Sequence, residues 1–290
     1  MGTLNIISGM DRSGTSLCAA ISQFVGVHLG NNLIGPRDAN PKGYFEDRRG
    51  VSINEQLLRH NNYGRKLASP LPNGWETGIP AKLAEIRIRK VLNDLSRNNS
   101  LFGIKDPRLC ITSKLWDAGA KSLNHDVRYT MCIRNPIEVS ASLNKRDGTD
   151  KASACLMWMA HTMTFLRSSH GSERLWVDYA KLMADPLETA ASIKFFVQGI
   201  EKLTNEEMEN ISGFVDVRLW RNRSESTANN YIEEAALQLY ECIKSKDQEL
   251  LTKFLDNGPG LLIEKLSHHA ALSLSKWVPP YHDIVIGEDS

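Results

Sequence analysis

Four short apolar runs punctuate the chain: Leu4-Asn5-Ile6-Ile7-Ser8, Leu101-Phe102-Gly103-Ile104, Val127 to Ile133, and Arg174 to Val177. Each is too short for a helix and rich in β-branched or aromatic residues, the pattern of a buried strand. Helical periodicity separates them. Thr15 to Val25 places Leu17, Ala20, Ile21, Phe24 and Val25 on one side, with Gly26 as a stop. Val51 to His60, Ala81 to Arg97, Asp150 to Ser168 and Pro186 to Val197 have helical length and spacing, and after about Leu203 the chain turns mainly helical, with Tyr231 to Phe254 as the clearest case. Asn31 to Gly50 is rich in Gly, Pro, Asn and charge and reads as a functional loop. Asn61 to Pro80 is irregular and contains Pro70, Pro72 and Pro80. Strands alternating with helices predict an α/β fold with a central, mostly parallel sheet between helical layers. The expectation is one domain over the 290 residues, with a core to about residue 200 and a helical C-terminal part beyond it.

The turn between the first strand and the first helix carries the chemistry. Gly9-Met10-Asp11-Arg12-Ser13-Gly14-Thr15-Ser16 meets the phosphate-cradling pattern G-x-x-x-x-G-K-[ST] at every fixed position except Thr15, which stands where the lysine belongs. That lysine reaches the β/γ-phosphates of a nucleoside triphosphate, so its absence argues against an ordinary ATPase or kinase, and Arg12 returns a cation at a different place. Strand, glycine turn and helix together aim backbone N–H groups at an anion. The competing reading is a plain surface turn that happens to hold two glycines.

Composition changes the picture in two respects. The formal net charge of +1 supplies no global field toward nucleic acid or an anionic membrane, so an anion site must be built locally. The five cysteines (Cys18, Cys110, Cys132, Cys155 and Cys242) form no C-x-x-C pair and no zinc-spaced cluster with histidine. Each lies in an apolar stretch, which predicts reduced, buried thiols and a cytoplasmic protein. No apolar run approaches the ~20 residues of a membrane span. No metal site is expected, and the eight histidines show no ligand spacing.

A second constellation follows the third strand. Asn135 can cap the next helix, Pro136 suits its first turn, and Glu138 is placed to complete a capping box. Arg134 at the strand end and Ser142, four residues beyond Glu138, can clamp a second phosphate; alternatively the segment is a well-capped helix with a solvated arginine. Both constellations are strand-to-helix junctions and would face one crevice at the carboxyl ends of a parallel sheet.

With these residues in place, the chain resembles the sulfotransferase superfamily, whose donor is 3′-phosphoadenosine 5′-phosphosulfate. Gly9 to Leu17 (GMDRSGTSL) resembles its 5′-phosphosulfate loop, Arg134 to Leu143 (RNPIEVSASL) its 3′-phosphate motif, Ile104 to Leu109 (IKDPRL) a strand-end segment between them, and Leu175 to Pro186 (LWVDYAKLMADP) the stretch that follows. The order matches over about residues 4 to 200, closest to bacterial and Golgi-type members with Arg-Ser-Gly-Thr loops. The resemblance implies a three-layer α/β/α fold of the P-loop type and sulfuryl transfer to an acceptor hydroxyl, on a carbohydrate, glycoconjugate or small metabolite, with no obligatory metal. It implies donor binding by Asp11, Arg12, Ser13, Gly14, Thr15 and Ser16, with Arg134 and Ser142 on the 3′-phosphate. Arg221 would cover the nucleotide, with Trp220 as an adenine neighbour; the other reading of Arg218 to Arg223 is a solvated basic turn.

For catalysis the resemblance offers Glu46 as general base, with Asp47 second and His60 as a weaker alternative. The competing reading of Glu46 is a loop carboxylate paired with Arg48 or Arg49. Arg12 would hold the phosphosulfate and stabilise the leaving group; Lys105 would stabilise the sulfuryl oxygens, or else form a strand-end ion pair with Asp106, and Arg108 would touch the acceptor. Met157-Trp158-Met159 reads as helix core. Two other functions stay open at this point: a P-loop kinase, and a non-catalytic nucleotide-binding module on the same fold.

Overall fold

The computed structural model describes residues 2–37, 40–61, 71, 74–220, 227–246 and 251. Two compact units make up the chain, Met1–Ser245 and Lys246–Ser290, and the fold that bears on function is that of the first. Its sheet has four strands, β1 (Thr3–Ser8), β2 (Leu101–Lys105), β3 (Asp126–Ile133) and β4 (Glu173–Asp178), in the order β2-β1-β3-β4. Every pairing is parallel: Ile6 stands beside Ile104 on one side and Tyr129 on the other, and Met131 stands beside Trp176. All four strands therefore end at one edge. The chain steps outward from β1 to β2 and then crosses back to β3, so the topological reversal falls between β1 and β3, where open parallel sheets form a crevice.

Ten helices accompany the strands among the described residues: α1 (Thr15–Phe24), α2 (Arg48–His60), α3 (Ile79–Ser96), α4 (Leu109–Ser122), α5 (Pro136–Asp147), α6 (Lys151–Ser168), α7 (Tyr179–Ala184), α8 (Pro186–Gln198), α9 (Asn205–Phe214) and α10 (Tyr231–Ser245). They pack in two groups. One runs α2, α3, α4, α6 with α5 and α10; the other joins α1, α8 and α9. The second group buries Ile21, Val25, Ile193, Val197 and Ile211 against Ile7 and Val177 of the sheet. Each such side chain contributes about 1.5–3 kcal/mol relative to exposure. Covering both faces explains why β1 reads as an almost continuous apolar run. Met157, Trp158 and Met159 are buried within α6, as its apolar composition predicted. All five cysteines are buried.

Local patterning missed some boundaries. Helix α2 begins at Arg48, three residues before the expected Val51, because the Asp47 carboxylate accepts from the N–H groups of Arg49 and Gly50 and caps the helix there. Helix α4 covers a stretch to which periodicity assigned no element. Its Thr, Ser, Asp and Gly content is weak for a helix, and packing holds it: Leu109, Leu115 and Trp116 are buried. A β-carbon on Gly119 would lie 2.9 Å from Ile88, so glycine permits the α3–α4 approach. The expected helix to Phe254 is present over Tyr231–Ser245, and its last turns fall largely outside the described residues. No helix among the described residues is long and apolar enough to cross a membrane.

Candidate active site

The loop between β1 and α1 is shaped by its neighbours. A β-carbon on Gly9 would lie 2.2 Å from the Cys132 carbonyl oxygen, so only glycine lets the chain pass β3 there. Gly14 has φ +86°, in the left-handed region, and its missing β-carbon would meet the Tyr179 ring at 2.3 Å. Helix α1 then starts at Thr15 with no side-chain cap, leaving its first N–H groups to be met from outside. Arg12 also adopts a positive φ, 71°. Gly14→Ala is expected to abolish nucleotide binding, since both the backbone conformation and the Tyr179 contact oppose a methyl group. Calorimetric titration with an adenosine bisphosphate checks this, and circular dichroism checks that the fold persists.

The second junction comes to meet the first. Arg12 Nε donates to Ser142 Oγ at 3.0 Å across 130 residues, and Arg134 Nη1 donates to the Arg12 carbonyl at 3.1 Å. Arg134 Nε donates to Glu138 Oε2 at 2.8 Å, and its guanidinium lies 4.5 Å from the Tyr179 ring centre. Glu138 therefore does not complete a capping box. Asn135 alone caps α5, through the N–H of Ile137, while the Glu138 carboxylate is spent on Arg134 and on Trp220 Nε1 at 2.9 Å. Trp220 reaches the site by that bond and edge-on to Tyr179, and does not border the cavity. Burial, then Arg146 and Arg134, press the Arg12 guanidinium below its ordinary value, with Asp11 opposing them. Such crowding of cations is relieved by an anion. Two buried donors in this pair of junctions, Ser13 Oγ and Arg134 Nη2, have no hydrogen-bond partner among the described residues. An unmet buried donor is costly, and an anionic ligand would meet both.

Residues 31–37 and 40–47 fold back over the loop. Ile34 N donates to the Glu46 carbonyl at 2.8 Å, and Asn40 Nδ2 donates to Ser16 Oγ at 3.2 Å. This brings Glu46 to Lys105: Nζ donates to Glu46 Oε1 at 2.6 Å, to the Tyr44 carbonyl at 3.0 Å and to Ser16 Oγ at 3.3 Å. Both side chains are buried. The alternative pairings expected for these residues do not form. Arg49 is held by Asp47 and Asp94, and Asp106 takes Arg108 at 2.7 Å instead of Lys105. Asp47 is consumed in capping α2 and binding Arg49, and it does not border the cavity. His60 sits exposed at the end of α2 with its ring on the Gln56 carbonyl, also away from the cavity.

The cavity at this edge of the sheet encloses about 590 Å³, within the range of small-ligand sites. Asp11, Arg12, Gly14, Thr15, Ser16, Glu46, Lys105, Arg134 and Ser142 all border it, and Ser13 lies buried beneath. Eight Lys or Arg side chains face it against three Asp or Glu, so an almost neutral protein presents a strongly cationic pocket. Arg221 and Arg223 lie outside the described residues. The loop residues Asn40 and Tyr44, and Phe214 at the end of α9, join the site without a motif of their own; the Gly, Pro and Asn content of residues 31–50 was the only signal for the first two. Among the described residues no group of three or more His, Cys, Asp or Glu is placed to hold a metal ion.

No family model matches the chain. No curated protein matches it either. Among solved structures it is similar to the sulfotransferase domain from the Synechococcus PCC 7002 olefin synthase, with 15% identity, 83% of this chain and 94% of that domain covered, and a TM-score of 0.48. It is likewise similar to the sulfotransferase domain from the curacin biosynthetic pathway, with 12% identity, coverage of 83% and 97%, and a TM-score of 0.46.

Proposed function

We propose that the chain is a sulfotransferase that moves a sulfuryl group from 3′-phosphoadenosine 5′-phosphosulfate to an acceptor hydroxyl. The observation that carries this reading is the pair of neighbouring strand-end junctions, each with a buried donor that has no hydrogen-bond partner among the described residues: Ser13 Oγ on the β1 side and Arg134 Nη2 on the β3 side. Two separated clamps suit a nucleotide phosphorylated at both ends of its ribose better than a triphosphate, whose charge lies in one line. Thr15 in the lysine position of the loop supports the same choice.

In this reading the N–H groups at the start of α1, with the hydroxyls of Ser13, Thr15 and Ser16, hold the 5′-phosphate. Arg134 and Ser142 hold the 3′-phosphate. Transfer breaks the bond between sulfur and the phosphate oxygen and forms one to the acceptor oxygen. Charge grows on the departing phosphate oxygen, which Arg12 neutralises, while Lys105 stabilises the sulfuryl oxygens. Glu46 takes the acceptor proton, since its carboxylate borders the cavity next to Lys105.

Thermal shift separates this reading from its rivals. The expected result is stabilisation by 3′-phosphoadenosine 5′-phosphate well above that by AMP, following the logarithm of ligand concentration over Kd. Stabilisation by ATP alone would sink the sulfotransferase reading in favour of a kinase. Stabilisation by the bisphosphate without sulfate transfer to any acceptor, judged by mass spectrometry, would leave a nucleotide-binding module.

A further inference from the structure

Beyond the two clamps and the Glu46–Lys105 pair, a buried polar chain runs into the site from helices α2 and α4. Trp116 Nε1 and Thr112 Oγ1 each donate to Asn54 Oδ1 at 2.9 Å. An indole nitrogen can only donate, so the Asn54 atom facing it is oxygen and the Asn54 amide group points to Asp106. Asn54 Nδ2 accordingly donates to Asp106 Oδ2 at 2.9 Å. The other Asp106 oxygen accepts from the backbone N–H of Arg108 at 2.9 Å and from Arg108 Nη1 at 2.7 Å. All three partners of the Asp106 carboxylate among the described residues are donors, the arrangement that suits an ionised carboxylate and that opposes burial and Glu46, which push the pKa of this group up. Its charge is spent on the arginine two residues later.

Arg108 is the output of this chain. It borders the cavity and is 8% exposed. Nη2 donates to Glu55 Oε1 at 2.7 Å, Nη1 stands 3.8 Å from Glu46 Oε2, and Nε is buried with no hydrogen-bond partner among the described residues. The strand order gives it a place in the reaction. Arg134 follows β3, Arg12 follows β1, and Arg108 follows β2, so the cations span the edge of the sheet in that order. With the donor phosphates on the β3 and β1 junctions, the β2 end is where the transferable group stops and the acceptor begins.

We propose that Asp106 is a positioning residue: fixed by Asn54, it holds Arg108 against Glu46 on the acceptor side of the site. The assignment rests on the sulfotransferase reading. Burying a carboxylate, an amide and a guanidinium is costly and gains little stability over an apolar core, whereas fixing an arginine rotamer beside a reacting group is worth rate.

The test is a double-substitution cycle on the full chain, reading release of 3′-phosphoadenosine 5′-phosphate from the donor over a panel of hydroxyl acceptors, together with bisphosphate affinity. Asp106→Asn is expected to lower kcat/KM for the acceptor at least tenfold while bisphosphate affinity stays within twofold. In an Arg108→Ala background the same substitution is expected to cost no further activity, because Asp106 acts through Arg108. It should also raise the Tm of Arg108→Ala, which otherwise leaves the Asp106 carboxylate buried without its guanidinium. Losses that multiply in the double variant, or bisphosphate affinity that falls with Tm in Asp106→Asn, overturn the assignment. If Asp106→Asn does not fold, Asn54→Ser carries the same comparison, with its effect expected to vanish when Arg108 is absent and its persistence counting against the proposal. Activity of Asp106→Asn within twofold of the unaltered protein overturns the assignment alone. Failure of the unaltered protein to release product with any acceptor overturns the transferase reading and this assignment with it.

Discussion

Arg134→Ala is expected to weaken binding of 3′-phosphoadenosine 5′-phosphate by about 10- to 100-fold, the range of about 1.5–3 kcal/mol for a hydrogen bond to a charged group. The upper end is favoured by what the substitution leaves behind. Arg134 Nε neutralises the largely buried Glu138 carboxylate, and Nη1 supports the Arg12 carbonyl. Without the guanidinium, the Glu138 carboxylate keeps Trp220 Nε1, and its negative charge stands unneutralised beside the proposed 3′-phosphate site. Adenosine 5′-phosphosulfate, which has no 3′-phosphate, should lose much less affinity. Isothermal titration with both ligands decides the matter: equal losses would remove Arg134 from the 3′-phosphate and leave it a structural partner of Glu138.

Glu46→Gln is expected to lower sulfuryl transfer by 10²–10⁴-fold, the usual worth of a general base, without loss of bisphosphate binding. The amide oxygen of glutamine can still accept from Lys105 Nζ, which also keeps the Tyr44 carbonyl and Ser16 Oγ, so the buried ammonium is not stranded. With its ion pair weakened, Lys105 is freer to meet an anion beside Ser16, and affinity should hold or rise. Breaking a buried pair outright costs about 3–5 kcal/mol; a collapse of Tm and of bisphosphate affinity together in Glu46→Gln would mean that the carboxylate is there to neutralise Lys105 and does not act as a base. Rapid-quench measurement of product, with titration of the bisphosphate, separates the two outcomes.

The legible parts of this molecule are those where neighbours in sequence are neighbours in space. The loop at Gly9 to Ser16 could be read because its two glycines and the following apolar period specify a turn and a helix within a dozen residues. Asn135-Pro136 announced the start of α5 for the same reason. The pattern failed at α4, where Leu109, Leu115 and Trp116 earn their helix from contacts with α3 and α6 that no local propensity records. It failed again at Glu138, which carries a capping-box signature yet serves Arg134 and Trp220.

The site divides along the same line. The sequence alone determined which residue types stand at the strand ends and that a nearly neutral chain holds arginines at both glycine-turn and strand-helix junctions. Only the tertiary structure decided how they pair. Parallel strands in the order β2-β1-β3-β4 place the ends of β1 and β3 side by side, which lets Arg12 reach Ser142 and Arg134 reach the Arg12 backbone. The fold of residues 40–47 brings Glu46 to Lys105 across 59 positions and leaves Arg49 to Asp47. An ion pair depends on distance and on exclusion of water, and both are set by strand order and burial, which no spacing along the chain contains.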